Sequence, residues 1–497
     1  MISIFLFLPF IAALILCLIP PKHLALFRWA GIIISSIEVL FALFLWVGFR
    51  IGSGIQYDHF VKWVPALGIN YRVGLDGISL PLVTMTAIVF LASFIYSYGQ
   101  EKRLKEYIIL FLFMETACLG VFLALDLIIF YLFWDLSLIF MFFIVLLWGH
   151  KDRRQAALKF LIYTLVGSLS LLIGIIGLYL MSEARSFDMM AIIAENPLAG
   201  SGQTGALILL ALGIGFAIKT PTFPVHTWLP PAHVEAPAAG SAILAGILLK
   251  MGTYGFIRIG MGMAPEQWRE YAWVILVIGL ISVLYGALVA LGQRSWKALI
   301  AYTSINHMGY IVLGLGAVGL AGKASEELQT LIITGSVTQM VAHGLVTGML
   351  FLFTGMLYNR TGTYEFKHLG GLARVVPVFA GFTAVAAVAS FGLPGFAHFV
   401  AELQIFAGTI GIVPWAGIVA LLGVLIIAGA FVYSLQRIFF GSMDEEYRLM
   451  EDLKPYELVA SLLLTFSFII VGIYPNWIIQ IIQPASKAIT DILNTIP

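Results

Sequence analysis

Charged residues are scarce in this sequence, and cysteine is nearly absent. Only 11% of the 497 residues are charged, whereas about a quarter are charged in an ordinary soluble domain. The 27 basic and 26 acidic residues nearly cancel, so the net charge is +1 and nucleic acid is excluded as a main partner. Cys17 and Cys118 lie in apolar runs, which excludes a disulfide framework, a cysteine-ligated zinc or an iron–sulfur cluster carried by this chain alone. We therefore expect no metal and no cofactor in this chain.

Long apolar runs dominate the sequence. Apolar residues make up 61% of the chain, and the mean hydropathy is +1.01. A membrane-spanning helix needs about 20 mostly apolar residues, and no soluble insertion or linker separates the runs. The sequence predicts an all-α fold, a polytopic helix bundle that forms a single integral membrane domain over residues 1–497. Fourteen spans are predicted, at residues 2–20, 26–48, 78–98, 106–124, 127–148, 155–181, 205–230, 237–262, 270–292, 297–320, 327–358, 376–409, 413–440 and 456–482.

Basic residues are distributed unevenly among the loops, which predicts the orientation. Fifteen lysines and arginines, Lys297 among them, are assigned to the odd-numbered loops, and seven to the even-numbered loops and the C-terminal tail. Because short cytoplasmic loops retain positive charge, we expect both termini on the non-cytoplasmic side. Arg258, near the end of its span, is expected to reach the interface. The pattern indicates a multi-pass protein of the cell (plasma or inner) membrane, with the thylakoid membrane as an alternative.

Ionisable residues inside the spans are the first candidates for function, since burying a charge in hydrocarbon costs several kcal/mol by most estimates. Lys219 comes directly before a segment with two prolines in span 7, and Lys250 lies near the middle of span 8. Glu402 follows the breaker Phe391–Gly395 in span 12. Prolines and glycines at membrane depth are tolerated where the freed backbone lines a polar cavity or is buried in protein.

A second group of polar residues admits a structural as well as a functional reading. Asp135 in span 5 could simply accept a hydrogen bond from a neighbouring helix, and Glu115 and Glu38 could face a partner subunit. His307 and His343 could be satisfied core histidines, although neutral histidines also suit a proton relay. No histidine has a metal-ligand spacing with a second histidine or cysteine on its helix face.

The two broken helices lie five spans apart, which indicates an internal duplication. Spans 4–8 (residues 106–262) would correspond to spans 9–13 (residues 270–440). Because five is odd, the two repeats would be inverted relative to each other, as in many transporters.

Four sequence blocks resemble a known family. They are Gly74–Pro81, Lys219–Pro230, His233–Pro237 and Leu248–Gly255. The chain resembles the antiporter-like membrane subunits of respiratory complex I, in particular the subunit M (chain-4) type of NADH:quinone oxidoreductase, over nearly its whole length. The resemblance implies a subunit of the proton-pumping arm, without a redox centre, whose partners are neighbouring membrane subunits, the lipid bilayer and protons.

The resemblance also implies roles for individual residues. Asp135, Lys219, Lys250 and Glu402 match a polar axis along the membrane midplane, and His307 and His343 match relay histidines between the lysines. One departure is Asp135, where the family usually has Glu, so Glu115 is kept as an alternative acid. The expected mechanism is that the Asp135–Lys219 pair opens and closes, after which Lys219 passes a proton through His307 and Lys250 toward Glu402.

Two alternatives remain open at the sequence level. One is a subunit of a multisubunit cation/proton (Na+/H+) antiporter, which uses no NADH. The other is a subunit of a ferredoxin-linked or hydrogenase-linked relative of complex I. A purely structural scaffold is disfavoured by four charged residues at membrane depth.

Overall fold

Residues 1–495 are described by a computed structural model. They fold into a helix bundle, with one two-stranded sheet. The helices, in chain order, are α1 (Ile2–Leu18), α2 (Leu24–Gly48), α3 (Ser79–Tyr96), α4 (Leu104–Leu123), α5 (Leu127–Trp148), α6 (Arg153–Met181), α7 (Met189–Glu195), α8 (Gln203–Lys219), α9 (Leu229–Glu235), α10 (Ala238–Ile243), α11 (Leu249–Gly255), α12 (Pro265–Glu270), α13 (Ala272–Leu291), α14 (Trp296–Leu320), α15 (Glu326–Thr361), α16 (Pro377–Ser390), α17 (Ala397–Ile412), α18 (Pro414–Phe439), α19 (Pro455–Ile473) and α20 (Asn476–Asn494).

The predicted polytopic bundle is confirmed. Among the described helices, eleven are long and apolar enough to cross a membrane. Four shorter apolar helices, α1, α8, α16 and α17, coincide with predicted spans 1, 7 and 12. The count of fourteen spans stays a prediction, because the halves of a broken helix are too short to cross alone.

The hydrophilic stretch between the second and third spans contains a β-hairpin that the sequence analysis did not predict. Strands β1 (Gln56–Val64) and β2 (Ile69–Leu75) pair antiparallel. Gly68 turns the chain with φ of +69°, and a Cβ there would lie 2.3 Å from the carbonyl oxygen of Arg185. The turn therefore requires glycine, both for its backbone angle and for its close approach to the neighbouring loop.

The last predicted span, 456–482, is wrong in its C-terminal part. Helix α19 ends at Ile473, and Pro475 precedes a separate helix, α20. Proline has no N–H to continue the preceding helix, so the chain changes direction here. Helix α20 is amphipathic: Ile478, Ile482 and Ile489 are buried, and the helix packs against α15.

The centre of the bundle is formed by helices that are buried on nearly all sides. These are α3, α10, α11, α14 and α15, whereas α1, α2, α6 and α18 expose large apolar side chains on their outer faces. Two π-helical segments, Leu244–Leu248 and Phe256–Met261, flank α11. Such segments are frequent at functional sites, and here they border the helix that carries Lys250.

Candidate functional site

Lys219 is the last residue of α8, at the first break in the bundle. Its ammonium is buried and donates a hydrogen bond to the Ser137 hydroxyl at 3.1 Å. It also lies 4.9 Å from the ring centroid of Trp134, which is a cation–π distance. Both contact residues belong to α5, so the ammonium of Lys219 packs against side chains of this helix.

Asp135 lies between those two contact residues on α5. The Ser168 hydroxyl of α6 donates a hydrogen bond to its carboxylate. Among the described residues, Asp135 forms no ion pair with Lys219, although the two charges attract each other. The carboxylate of Asp135 and the ammonium of Lys219 therefore have different hydrogen-bond partners, Ser168 and Ser137.

Lys250 lies on α11 in the middle of the bundle and is fully buried. Its ammonium donates to the carbonyl oxygen of Ala245, in the preceding π-helical segment, and lies 2.5 Å from Nδ1 of His343. Lys250 and His343 thus form a direct contact between α11 and α15.

Three histidines form a cluster next to Lys250. The ring centroid of His307 lies 5.3 Å from that of His343 and 5.0 Å from that of His398, and the His343–His398 separation is 6.2 Å. The three residues come from α14, α15 and α17. Of the two histidines expected between the lysines, His343 rather than His307 is in direct contact with Lys250.

The sequence analysis missed His398. The residue lies four positions before Glu402 on α17, a spacing that places the two side chains on one helix face. That spacing, next to a predicted helix break, was the signal in the sequence that could have identified His398 as a candidate. All three histidines of the cluster are buried.

Glu402 lies beside the second break. Helix α16 ends at Ser390 and α17 begins at Ala397, so the predicted interruption is confirmed. The side chain of Glu402 is buried, and its carboxylate lies against Gly392, where a Cβ would be 2.6 Å from Oε2. The carboxylate also interacts electrostatically with Tyr310 of α14. Glu402 therefore points into the bundle rather than to lipid.

Glu115 and Glu38 form a separate acidic group between α4 and α2. The Ser35 hydroxyl lies 2.9 and 2.8 Å from the two carboxylate oxygens of Glu115. Both glutamates are fully buried, and their charges interact. The reading in which they face a partner subunit is wrong, because both side chains lie between helices of this chain.

Arg258 also departs from the expectation. It is buried and forms an ion pair with Asp76, which precedes α3. The side chain is thus held by a carboxylate inside the protein instead of extending to the interface, because a buried guanidinium requires a partner. Within residues 1–495, no group of three or more His, Cys, Asp or Glu residues could hold a metal ion.

Residues 124–427 match the family described as "NADH:quinone oxidoreductase/Mrp antiporter, TM". This range contains Asp135, Lys219, Lys250, the histidine cluster and Glu402. The chain belongs to this family of membrane-spanning subunits.

Individual relatives resemble the chain over nearly its whole length. NADH-quinone oxidoreductase subunit M of Rhodobacter capsulatus is 34% identical, over 98% of this chain and 95% of the relative. F(420)H(2) dehydrogenase subunit M of Methanosarcina mazei is also 34% identical, over 99% of this chain and 98% of the relative. Among solved structures, a chain of respiratory complex I from Thermus thermophilus with bound NADH matches with a TM-score of 0.90 and 29% identity, over 99% of this chain and 100% of that chain.

Proposed function

We propose that this chain is a proton-translocating, antiporter-like subunit in the membrane arm of an NADH:quinone oxidoreductase of the complex I type. The observation that carries the proposal is a row of ionisable side chains inside the bundle, bordered by two helix breaks. It begins at the half-buried Asp135 and the buried Lys219, continues through the buried Lys250 and histidine cluster, and ends at the buried Glu402. Ionisable groups are costly inside a membrane, and where they occur they usually mark an ion or proton pathway.

The contacts support a stepwise transfer of protons along this row. When Lys219 approaches Asp135, both charged forms are favoured, and when the two separate, the desolvated Lys219 releases its proton more readily. Lys250 exchanges protons with His343 through their direct contact. His307 and His398 extend the path toward Glu402 and the exit. The neighbouring subunits would control the Asp135–Lys219 distance.

An inverted repeat accounts for the two breaks. We propose that residues 106–262 and 270–440 are the two copies within one integral membrane domain. Helix α6 packs against both parts of the first broken helix, α8 and α9, and α15 packs against both parts of the second, α16 and α17. Helices α4 and α5 likewise pack together, as do α13 and α14. Equivalent pairs therefore make equivalent contacts.

Other subunits would supply the electrons. We propose that this chain holds no redox cofactor, lies in the cell membrane among antiporter-like neighbours and lipid, and has both termini on the non-cytoplasmic side. The relatives from Rhodobacter capsulatus and Methanosarcina mazei are equally similar to it, although their names specify different electron donors. The identity of the donor therefore depends on the partner subunits.

Replacement of Lys219 tests the proposal. Lys219→Ala keeps the helix and removes the titrating amine, and Lys219→Arg keeps a charge that does not release its proton. We expect both variant complexes to assemble and NADH-driven proton uptake by membrane vesicles to fall to background. Lys159→Ala, which removes a lysine beside the exposed face of α6, serves as the control and should pump normally.

The outcomes separate the candidate functions. Full pumping by an assembled Lys219 variant would overturn the relay role. The family also includes Mrp-type antiporters, so vesicles should be tested for cation/proton exchange driven by a sodium gradient without an electron donor. Exchange that depends on Lys219 and ignores NADH would favour the antiporter and contradict the proposal.

A further inference from the structure

Lys297 has an environment that differs from its predicted place in a cytoplasmic loop. It is the second residue of α14 and is fully buried. Its ammonium donates to the carbonyl oxygens of Val234 at 3.2 Å and Ala236 at 2.7 Å, and it lies 3.4 Å from the Tyr364 hydroxyl. This is a buried amine that the proposed midplane path does not use.

On its outer side, Lys297 is connected to a polar cavity. The Tyr364 hydroxyl lies 3.1 Å from Nε2 of His150, in the loop between α5 and α6. Both side chains line a cavity of about 240 Å³ at the end of the bundle that carries the basic odd-numbered loops. Other polar residues that line the cavity are Tyr96, Tyr107, Asn359 and Tyr456. A cavity with this lining can hold water.

His150 is suited to exchange protons in both directions. Its burial, together with the positive charge of Lys297, lowers the pKa of His150 to about 4. The ring is therefore neutral at pH 7, with one nitrogen that donates and one that accepts. A neutral imidazole hydrogen-bonded to a hydroxyl can pass a proton on without holding a net charge.

On its inner side, Lys297 approaches the midplane through His233. This histidine of α9 is fully buried and stacks on Phe351, with ring centroids 4.3 Å apart. Within the described residues, neither of its ring nitrogens has a hydrogen-bond partner. His233 interacts electrostatically with both Lys297 and Lys250. Lys297 donates to the carbonyl oxygen of Val234, the next residue after His233, so the two unpartnered ring nitrogens are available for exchange close to Lys297.

We propose that His150, Tyr364, Lys297 and His233 form an intake branch that delivers protons from the cavity directly to Lys250. Lys297 gives a proton to His233, which passes one to the Lys250 amine. The neutral Lys297 amine then takes the Tyr364 hydroxyl proton, while Tyr364 receives the Nε2 proton of His150. A proton from cavity water at Nδ1 of His150 restores the proton count of each group, and rotation of the His150 and His233 rings returns both to their starting tautomers. This inference rests on the proposed function.

A purely structural role for Lys297 makes a different prediction. Its two carbonyl contacts lie at the C-terminal end of α9, where a cation stabilises the helix. Lys105 does the same at the end of α1, where its ammonium lies 2.8 Å from the carbonyl oxygen of Cys17 and 2.7 Å from that of Ile19. Lys105 is half-buried and distant from the relay in sequence and contacts, so it is a matched control for the helix-end role.

The test compares Lys297→Arg and Lys297→Met with Lys105→Arg and Lys105→Met in the intact complex. Arginine keeps the cation at the helix end but does not release a proton. We expect Lys297→Arg to assemble and to lower donor-driven proton uptake about tenfold or more, a conservative share of the roughly 10²- to 10⁴-fold contribution of a positioned proton-transfer group. The Lys105 variants should pump normally.

A second pair of variants isolates the hydroxyl link. Tyr364→Phe should slow proton uptake, whereas Tyr358→Phe, in the tyrosine that stacks on Tyr364, should not. Normal pumping by both Lys297→Arg and Tyr364→Phe would overturn the intake branch. If Lys219→Ala still abolishes pumping in that case, only the branch fails; if Lys219→Ala also pumps normally, the proposed function fails as well.

Discussion

At the scale of single residues, the contacts of Lys219 come from one short stretch of α5. Trp134 and Ser137 hold the ammonium while Asp135 is held by Ser168 of α6. The Asp135–Lys219 distance therefore depends on how α5 is placed against α6 and α8.

Asp135 provides the first residue-scale prediction. Asp135→Asn removes the charge that attracts Lys219 and should lower proton uptake to near background, whereas Asp135→Glu keeps the charge and should pump. Glu115→Gln is the comparison, since Glu115 is bound by Ser35 of α2. Donor-driven proton uptake by vesicles measures all three. Normal pumping by Asp135→Asn with failure of Glu115→Gln would move the acid to α4.

Individual residues were predictable from sequence only where burial could be inferred from the apolar flanks. Lys219, Lys250 and Glu402 lie well inside long apolar runs, so the cost of a buried charge marks them. Lys297 is only the second residue of its helix, directly after a loop, so its flanking sequence does not mark it as buried. Its burial depends on Tyr364 and on the end of α9, which are distant in sequence. The contact between Lys250 and His343 likewise depends on how α11 and α15 pack.

At the scale of elements, the two breaks were predictable because proline and glycine act locally. Proline removes a backbone donor, and glycine permits positive φ, whatever the surroundings. The π-helical segments around α11 have no such signal, since their sequences, Leu244–Leu248 and Phe256–Met261, are ordinary apolar runs. The hairpin at residues 56–75 was missed because the stretch between two spans was read as a loop without regular structure.

The second break supports a prediction about Gly392. Gly392 and Gly395 both have positive φ, +76° and +97°, so alanine at either position is strained by roughly 1–2 kcal/mol. A Cβ at Gly392 would also displace the Glu402 carboxylate, whereas a Cβ at Gly395 meets no atom within 4 Å. We expect Gly392→Ala to lower proton uptake several-fold more than Gly395→Ala.

The comparison between the two glycines separates strain from displacement. Both variants should assemble in similar amounts, which a native gel of solubilised membranes would measure. Equal proton uptake by Gly392→Ala and Gly395→Ala would show that the position of the Glu402 carboxylate at the break does not matter for transfer.

At the scale of the whole molecule, the polar path lies among the central helices and is surrounded by peripheral ones. The outer faces of α1, α2, α6 and α18 carry exposed apolar side chains, which suit contact with lipid or with the transmembrane helices of neighbouring subunits. Composition alone predicts such a bundle, because 61% apolar residues exceed what a soluble domain of this size would bury. Composition does not specify which helices become central, because that depends on how the helices pack together.

Orientation in the membrane is the last prediction, and it decides what the cavity at His150 and Tyr364 does. The excess of basic residues in the odd-numbered loops predicts the cytoplasmic side for that cavity and the other side for both termini. A reporter enzyme that is active only outside the cytoplasm should therefore be active when it is fused after Pro497. In a matched control, the same reporter should be inactive when it is inserted at Lys151, in the loop between α5 and α6. The opposite pattern would place the cavity at the outer surface, and Lys297 would then release protons instead of taking them up.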